Sequence, residues 1–304
     1  MSKISIITTT YKHQDFISKT IESILSQTFT DWELLIDDSP DDQTWNIIQT
    51  YVSKYPDKIK AWHHNPNKIV DNMNFLIEKV SNKSEYIAFL EDDMFTPYNL
   101  EKKIKVFEEY EEVIVYNNLD FINEKEIFYK NFLKKAPFYL KNQKLSKENF
   151  IKYEIFYCSY SSLIIQKEIL EKEKILNPTN DKLYSVSDWD LFFRISTKYN
   201  CYIEESLTLY RRHKNNITVD KKICKDLIII LNIYKKTEKI SLYNYKINHL
   251  KTYINYLEKH KIKTIKYILS FRYSINKNFI ERIMIFFSLL PNKINDFLYK
   301  KLKK

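Results

Sequence analysis

Residues 91–93 read Glu-Asp-Asp, directly after the apolar run Tyr86-Ile87-Ala88-Phe89-Leu90. Adjacent carboxylates repel one another, so three of them at the end of a buried strand call for a cation. Mg2+ and Mn2+ take one or two carboxylates together with phosphate oxygens and water, which makes the triplet a candidate site for a hard ion carrying a phosphorylated ligand. A solvated acidic turn is the plainer alternative. SVSDWDLFFRI (185–195) holds a second candidate. Asp188 falls in the first turn of an expected helix, where the dipole favours the ionised form, and an ionised carboxylate on a site wall suits a general base. Simple dipole complementation is its alternative. Ser187 and Asp190 have the spacing of a capping box, and Asp190 also stands four residues before Arg194, so a structural role is expected for it. In YRRHKNNIT (210–218), His213, Arg211, Arg212 and Lys214 could meet phosphates or a metal, against the alternative of a surface loop.

Composition removes several classes of function. Glycine is absent from all 304 residues, where ordinary usage is about 7%. The phosphate cradles GxGxxG and GxxxxGK[ST] therefore cannot occur, which argues against a standard dinucleotide-dependent dehydrogenase or P-loop kinase. Hydrophobic content of 44% with 29% charged residues fits a globular chain. The opening MSKISIITTT lacks the apolar centre of a secretory leader, and no run approaches 18 apolar residues. Cys158, Cys201 and Cys224 lack metal-type spacing, so reduced, buried thiols in a cytoplasmic protein are expected. Charge is unevenly placed: residues 1–218 carry 29 basic and 33 acidic side chains, and residues 219–304 carry 20 and 6. The net +10 belongs to the tail, and the two regions are expected to face different partners.

The elements that must position these groups follow from periodicity. Ile4–Ile7, Trp32–Ile36, Ile59–Trp62 and Tyr86–Leu90 read as strands, with Asp37 to Asp42 as an acidic loop. Helices are expected through Phe16–Leu25, through Trp45, Ile48 and Val52, and over 72–80. Another should start with Thr96 as N-cap and Pro97 as its first residue. Alternating strands and helices predict an α/β layered domain with a largely parallel sheet, where ligands bind beyond the carboxyl ends of the strands. Three strands end in polar clusters: Thr8-Thr9-Thr10-Tyr11, Asp37-Asp38 and Glu91-Asp92-Asp93. If those strands are neighbours, the clusters share one crevice. Residues 110–185 are expected to be less regular and to hold the acceptor side.

Four segments, in order and spacing, resemble the inverting family 2 glycosyltransferases. SIITTTYKHQDFISKTIESILSQTFTDWELLIDDSPDD resembles the family opening, with its P-T-Y-N strand end and D-D-G-S loop. EYIAFLEDDMFTPYNLEKKI resembles the D-x-D metal motif with its following proline and helix. SDWDLFFR resembles the catalytic E-D-x-x-x-x-x-R element, and YRRHKNNIT a Y-R-x-H-x-x-N-x-[ST] segment of bacterial members. The resemblance implies a GT-A fold over residues 1–218: an α/β, Rossmann-like three-layer domain with a mixed, mainly parallel sheet. A basic, mainly helical extension would occupy 219–304.

It also implies roles. Thr10, Tyr11 and Asp38 would contact base and ribose. Glu91 would face the ribose or a divalent metal, Mn2+ or Mg2+, and Asp93 would ligate that metal, with His213 as a further ligand. Asp92, between them, would serve the nucleotide-sugar site as contact or scaffold. Asp188 would be the base that deprotonates the acceptor hydroxyl. Departures are Thr9 for proline, Ser39-Pro40 for Gly-Ser, Glu91 for the first Asp, and NKIVDNMNF (67–75) without the family's glycine and arginine. That last change leaves open which side chain backs the diphosphate; Lys68 is a candidate. None removes a catalytic carboxylate.

The tail joins a dense apolar run to a basic end in FIERIMIFFSLLPNKINDFLYKKLKK (279–304). Such a segment can lie in the headgroup layer, where each basic residue contributes ~1 kcal/mol before screening. Its aromatics sit in apolar runs and not in an RNA-binding motif, so a membrane surface is expected and nucleic acid is not. Packing on the catalytic region or on another subunit is the alternative, which leaves a homo-oligomer open. The expectation is a metal-dependent transferase of bacterial surface glycans, peripheral on the inner face of the cell membrane. It would use a nucleotide-sugar donor and a glycan or lipid-linked acceptor. A sugar-1-phosphate nucleotidyltransferase is the rival enzyme, weakened by the missing glycine-rich loop. A binder keeping a decayed transferase domain is the non-enzymatic rival.

Overall fold

A computed structural model of the chain describes residues 3–39, 42–63, 69–122, 127–129, 141–153, 159–175, 186–211, 213 and 221–237, with residues 243, 244, 247, 250 and 251 further on. The chain divides into two compact units, Met1–His213 and Lys214–Lys304.

In the first unit the strands are β1 (Ile4–Tyr11), β2 (Trp32–Ser39), β3 (Ile59–His63), β4 (Tyr86–Phe89), β5 (Met94–Phe95), β6 (Val113–Ile122), β7 (Ile127–Tyr129), β8 (Ile164–Gln166) and β9 (Asn200–Arg211). The helices are α1 (Ile17–Leu25), α2 (Thr44–Lys54), α3 (Ile69–Lys79), α4 (Asn99–Glu109), α5 (Lys147–Tyr153), α6 (Lys167–Glu173) and α7 (Ser187–Lys198). Among the described residues the strands form one sheet in the order β3-β2-β1-β4-β8-β6-β9-β5, with β7 added at β6. The long ladders are parallel: β1 with β2 and β4, β2 with β3, and β6 with β9. Short antiparallel pairings join β4 to β8, β8 to β6 and β9 to β5.

Period-2 alternation divides the sheet into two buried faces. Ile4, Ile6, Leu34, Ile36, Ala88, Val113 and Val115 point one way, against Ile17, Ile21 and Ile24 of α1, Ile48 of α2 and Leu100 and Ile104 of α4. Ile7, Leu35, Ile87 and Phe89 are also buried and lie outside that cluster. α3 packs on β1 and β2, with Val70, Met73 and Leu76 buried. The result is three layers. Each fully buried Ile or Leu contributes about 1.5–3 kcal/mol, so the faces outweigh local propensities.

Two expectations about helix starts are corrected. α4 begins at Asn99, not at Pro97, because Thr96 and Pro97 are spent elsewhere. The Asn99 N–H donates to the Thr96 carbonyl (3.0 Å), and the Thr96 and Pro97 carbonyls accept from Gln27 Nε2 (2.8 Å) and the Thr28 N–H (2.9 Å). The cap comes from another element: the Leu100 N–H donates to Gln27 Oε1 at 3.1 Å. Ser187 and Asp190 form no capping box, since Val186 is the N-cap of α7 and no side chain caps it. Asp190 instead accepts from Arg194 Nε at 2.9 Å. The same Arg194 guanidinium donates to the Glu173, Lys174 and Ile175 carbonyls, which ties α7 to the end of α6.

In the second unit the described helix is α8 (Lys221–Thr237), with Leu227, Ile230 and Leu231 buried at i, i+3, i+4 spacing. Residues 279–304, on which the membrane expectation rests, lie outside the described residues. No helix among the described residues is long and apolar enough to cross a membrane. Cys201 is a buried free thiol, and burial pushes it up to about 12.

Candidate active site

The three polar clusters converge because β1 lies between β2 and β4. Thr9, Thr10 and Tyr11 are in register with Asp37, Asp38 and Ser39, and Ile7 with Phe89, so the chain beyond β4 leaves beside β1. The Leu90 N–H still donates to the Ile7 carbonyl (3.0 Å), and Thr8 Oγ1 donates to the Leu90 carbonyl (2.6 Å), just before the acidic triplet. Asp37 and Asp38 were expected in a loop. They are strand residues, held in the ladder by pairing with β1.

At the β2 end, Thr10 Oγ1 donates to Asp38 Oδ1 at 2.5 Å, and His63 Nδ1 lies 3.5 Å from Asp38 Oδ2. Burial raises the Asp38 carboxyl above its ordinary value, and Thr10 and His63 pull it back. His63 is buttressed edge-on by Trp45, with ring centroids 4.6 Å apart. Burial pushes Asp37 up to about 7 against a hydrogen bond from Asn72. Asn72 also donates to Ser39 Oγ at 3.3 Å. Tyr11, in contrast, is 51% exposed at the strand end, with Lys12 Nζ 5.1 Å over its ring. Lys68 lies outside the described residues.

The three acids of the triplet differ. Asp92 faces His213, whose Nε2 makes a close contact with Asp92 Oδ2. Burial raises Asp92, but that bond and the charges of His13 and His213 hold it below the usual carboxylate range. Asp93 accepts the Arg211 N–H on Oδ1 (2.7 Å), and Thr20 Oγ1 donates to its carbonyl (2.9 Å). Burial, then the Asp92 charge, push Asp93 up to about 8 against hydrogen bonds from Ser161 and Arg211. Glu91 is partly exposed; desolvation and the charges of Asp92, Asp93 and Asp188 push it up to about 8.

Arg211 and His213 close the far side. Arg211 Nε donates to the Asp92 carbonyl (2.9 Å), its guanidinium lies 5.0 Å over the Phe16 ring, and His213 packs 4.6 Å from the same ring. His13 is brought near Asp92 and His213, and burial lowers its imidazole. Arg212 and Lys214 lie outside the described residues.

Asp188 stands in the first turn of α7 and is partly exposed. Its Oδ1 accepts the Trp189 N–H at 2.7 Å, and burial pushes the carboxyl up to about 6. Its charge reaches Glu91, and the Tyr160 ring lies against both Phe89, before the triplet, and Phe192 of α7, so base candidate and acidic triplet are near one another.

The donor set fits a hard divalent ion. Two desolvated, mutually repelling carboxylates are what such a cation relieves, and Mg2+-type sites rely on one or two carboxylates plus ligand phosphates. Among the described residues no group of three His, Cys, Asp or Glu is gathered as a metal cage. Asp92 pairs with His213, and Glu91 and Asp93 are the two acids of the triplet that burial and neighbouring charge push up.

Sequence reasoning missed His63, His13, Phe16 and Tyr160. His63 was detectable in principle, because parallel pairing of β2 and β3 sets it opposite Asp38. Tyr160 lies in a stretch without periodicity, and nothing local marks it.

The sheet, with acids at the ends of β2 and β4 and Asp188 on α7, has the GT-A fold. The glycosyl transferase family 2 profile matches residues 5–173, more than half of the chain, which therefore belongs to that family. The Escherichia coli protein named UDP-Glc:alpha-D-GlcNAc-diphosphoundecaprenol beta-1,3-glucosyltransferase WfaP is 29% identical over 243 residues, 77% of this chain and 86% of its own length. EpsE of Bacillus subtilis (strain 168) is 33% identical over 111 residues, 36% of this chain, and the match spans only 39% of EpsE. Staphylococcal TarS 1-349 in complex with UDP shares the fold with a TM-score of 0.59 at 15% identity, covering 96% of this chain and 82% of that one. The mannosyltransferase PcManGT from Pyrobaculum calidifontis, in complex with GDP-Man and Mn2+, has a TM-score of 0.56 at 12% identity, covering 97% and 82%.

Proposed function

We propose that the chain transfers a sugar, with inversion, from a nucleotide-sugar donor to a hydroxyl of a lipid-linked glycan in surface polysaccharide synthesis. The observation that carries this reading is a partly exposed Asp188, its carboxyl pushed up to about 6, near enough to the acids after β4 for its charge to reach Glu91. In this reading Tyr11, Thr10 and Asp38 receive the nucleoside, and Glu91 and Asp93 hold Mn2+ or Mg2+ at the diphosphate. When bound, the cation offsets charge on the departing nucleoside diphosphate. Asp92 holds His213 and with it the end of β9. Asp188 takes the proton of the acceptor hydroxyl, the freed oxygen bonds to the anomeric carbon, and the bond from that carbon to the diphosphate oxygen breaks on the opposite face.

The names of two relatives support a lipid-linked acceptor. One is WfaP; the other is a Campylobacter jejuni protein named GalNAc(5)-diNAcBac-PP-undecaprenol beta-1,3-glucosyltransferase, 33% identical over 99 residues. The basic tail, residues 219–304, would meet the anionic inner leaflet, placing the enzyme peripherally on the cytoplasmic side. Screening nucleotide sugars for release of nucleoside diphosphate, with and without Mn2+, tests the reading. No metal-dependent turnover of any donor overturns it. Co-flotation of the full chain with anionic but not neutral vesicles, weakening with salt, tests the tail.

A further inference from the structure

We propose that Tyr160 is a positioning residue for the reaction: its buried phenol, donating to Ser187 Oγ, fixes the first turn of α7 and so aims Asp188 into the crevice. The proposal rests on the reading of Asp188 as base. Tyr160 opens a short 3-10 turn, Tyr160–Ser162, that leads into β8. β8 pairs with β4 (Ile87 with Ile165, Ala88 with Ile164), the strand that delivers the acidic triplet. The Tyr160 ring lies 5.2 Å from Phe89 and 6.1 Å from Phe192. Phe89 is two residues before Glu91 and Phe192 four residues after Asp188, so one aromatic side chain spans both halves of the site. The next residue extends the link: Ser161 hydrogen-bonds the Asp93 carboxylate.

The first turn of α7 needs such a support. Its N-cap, Val186, offers no side-chain bond, and the Asp188 carboxylate accepts from its own neighbour, the Trp189 N–H. The carboxylate therefore points wherever that turn points. The 3.2 Å bond from Tyr160 to Ser187 anchors the turn from another element, at the residue next to the base. The Ser187 hydroxyl oxygen accepts the phenol hydrogen bond. Burial, with the charges of Asp188 and Glu91, keeps the phenol well above its ordinary value, so it stays a neutral donor.

The test compares Tyr160→Phe, Ser187→Ala and the double variant in the full-length chain, using UDP-glucose and UDP-N-acetylglucosamine with Mn2+. Tyr160→Phe keeps the ring packing and removes only the donor. It is expected to lower kcat roughly 10- to 100-fold while donor KM stays within about twofold. Ser187→Ala should match it, and the double variant should be no worse than either single one. Amide hydrogen exchange across the first turn of α7 should accelerate in both. Wild-type kcat in Tyr160→Phe, additive losses in the double variant, or unchanged exchange at that turn would each overturn the proposal. Asp188→Asn separates the two ideas. If it turns over donor like the parent, the base reading fails, and the exchange measurement alone decides whether Tyr160 anchors the turn. If it is inactive while Tyr160→Phe is normal, only the Tyr160 proposal falls.

Discussion

The Arg211 N–H donates to Asp93 Oδ1 at 2.7 Å, joining the end of β9 to the acidic loop across 118 residues of sequence. The bond takes one carboxylate oxygen, and burial with the Asp92 charge still pushes the group up to about 8 against Ser161 and Arg211, a cost that a bound divalent ion would relieve. Asp93→Asn keeps an acceptor for Arg211 and removes the charge. Added Mn2+ should raise the melting temperature of the parent, because binding to the folded state adds RT ln(1 + [L]/Kd), about 2.7 kcal/mol at 100-fold excess over Kd. In Asp93→Asn that rise should vanish, while the metal-free variant melts no lower than the parent. A full Mn2+ response in the variant would remove Asp93 from the metal site.

Asp188 predicts a pH profile. A general base works deprotonated, and burial pushes this carboxyl up to about 6. Donor turnover at saturating donor should therefore climb as pH rises through about 6 and level off above it. Asp188→Asn should lose that limb together with roughly 100- to 10,000-fold of kcat, the range for removing a positioned acid or base, with donor KM little changed. A flat parent profile from pH 5 to 8 would exclude Asp188 as the titrating group.

The layered fold was legible because short apolar runs starting at Ile4, Trp32 and Tyr86 alternate with helical spacing at Ile17-Ile21-Ile24. The meeting of Thr10, Asp38 and the acidic triplet was expected only if β1, β2 and β4 were neighbours, and the pairing of β1 with both supplies that condition. Local pattern failed where a distant group supplied the decisive bond. Thr96-Pro97 looks like a helix start, yet Gln27, just beyond the end of α1, caps α4. Ser187 and Asp190 look like a capping box, yet Tyr160 and Arg194 claim them. Asp37 and Asp38 look like a loop until β1 pairs with them.

Lys103 carries a stability prediction far from the chemistry. Its side chain on α4 is fully buried, its Nζ has no hydrogen-bond partner among the described residues, and it lies 5.1 Å over the Phe95 ring. Burial pushes its ammonium down to about 7 from an ordinary 10.5. Between those values the unfolded chain binds the extra proton, so stability rises with pH across that window, and the full penalty is present below 7. A tenfold loss of proton affinity on folding corresponds to about 1.4 kcal/mol. Lys103→Met should therefore stabilise the protein by a few kcal/mol at about pH 6.5, and by progressively less as pH approaches about 10. Urea midpoints of parent and variant at the two ends of the range check this. An equal gain at both ends would contradict it.

A chain without glycine must put other residues where the backbone needs positive φ. Lys12, Glu112, Asn142 and Lys174 occupy such positions, with φ of 57°, 47°, 51° and 60°. A Cβ in the left-handed region costs roughly 1–2 kcal/mol, whereas glycine there costs only its extra freedom in the unfolded chain, about 0.5–1 kcal/mol. Lys12 adjoins Tyr11, which the proposed function gives to the nucleoside, so a change there would mix stability with any effect on binding. Glu112 is exposed, in the link between α4 and β6. Glu112→Gly should therefore stabilise the protein by about 0.5–1 kcal/mol, the difference between those two terms. The neighbouring Glu111, also exposed and without positive φ, is the control: Glu111→Gly should destabilise by a similar amount. Chemical denaturation of the two variants reads the sign directly. Losses in both would mean that the left-handed strain at Glu112 is not the term that decides stability there.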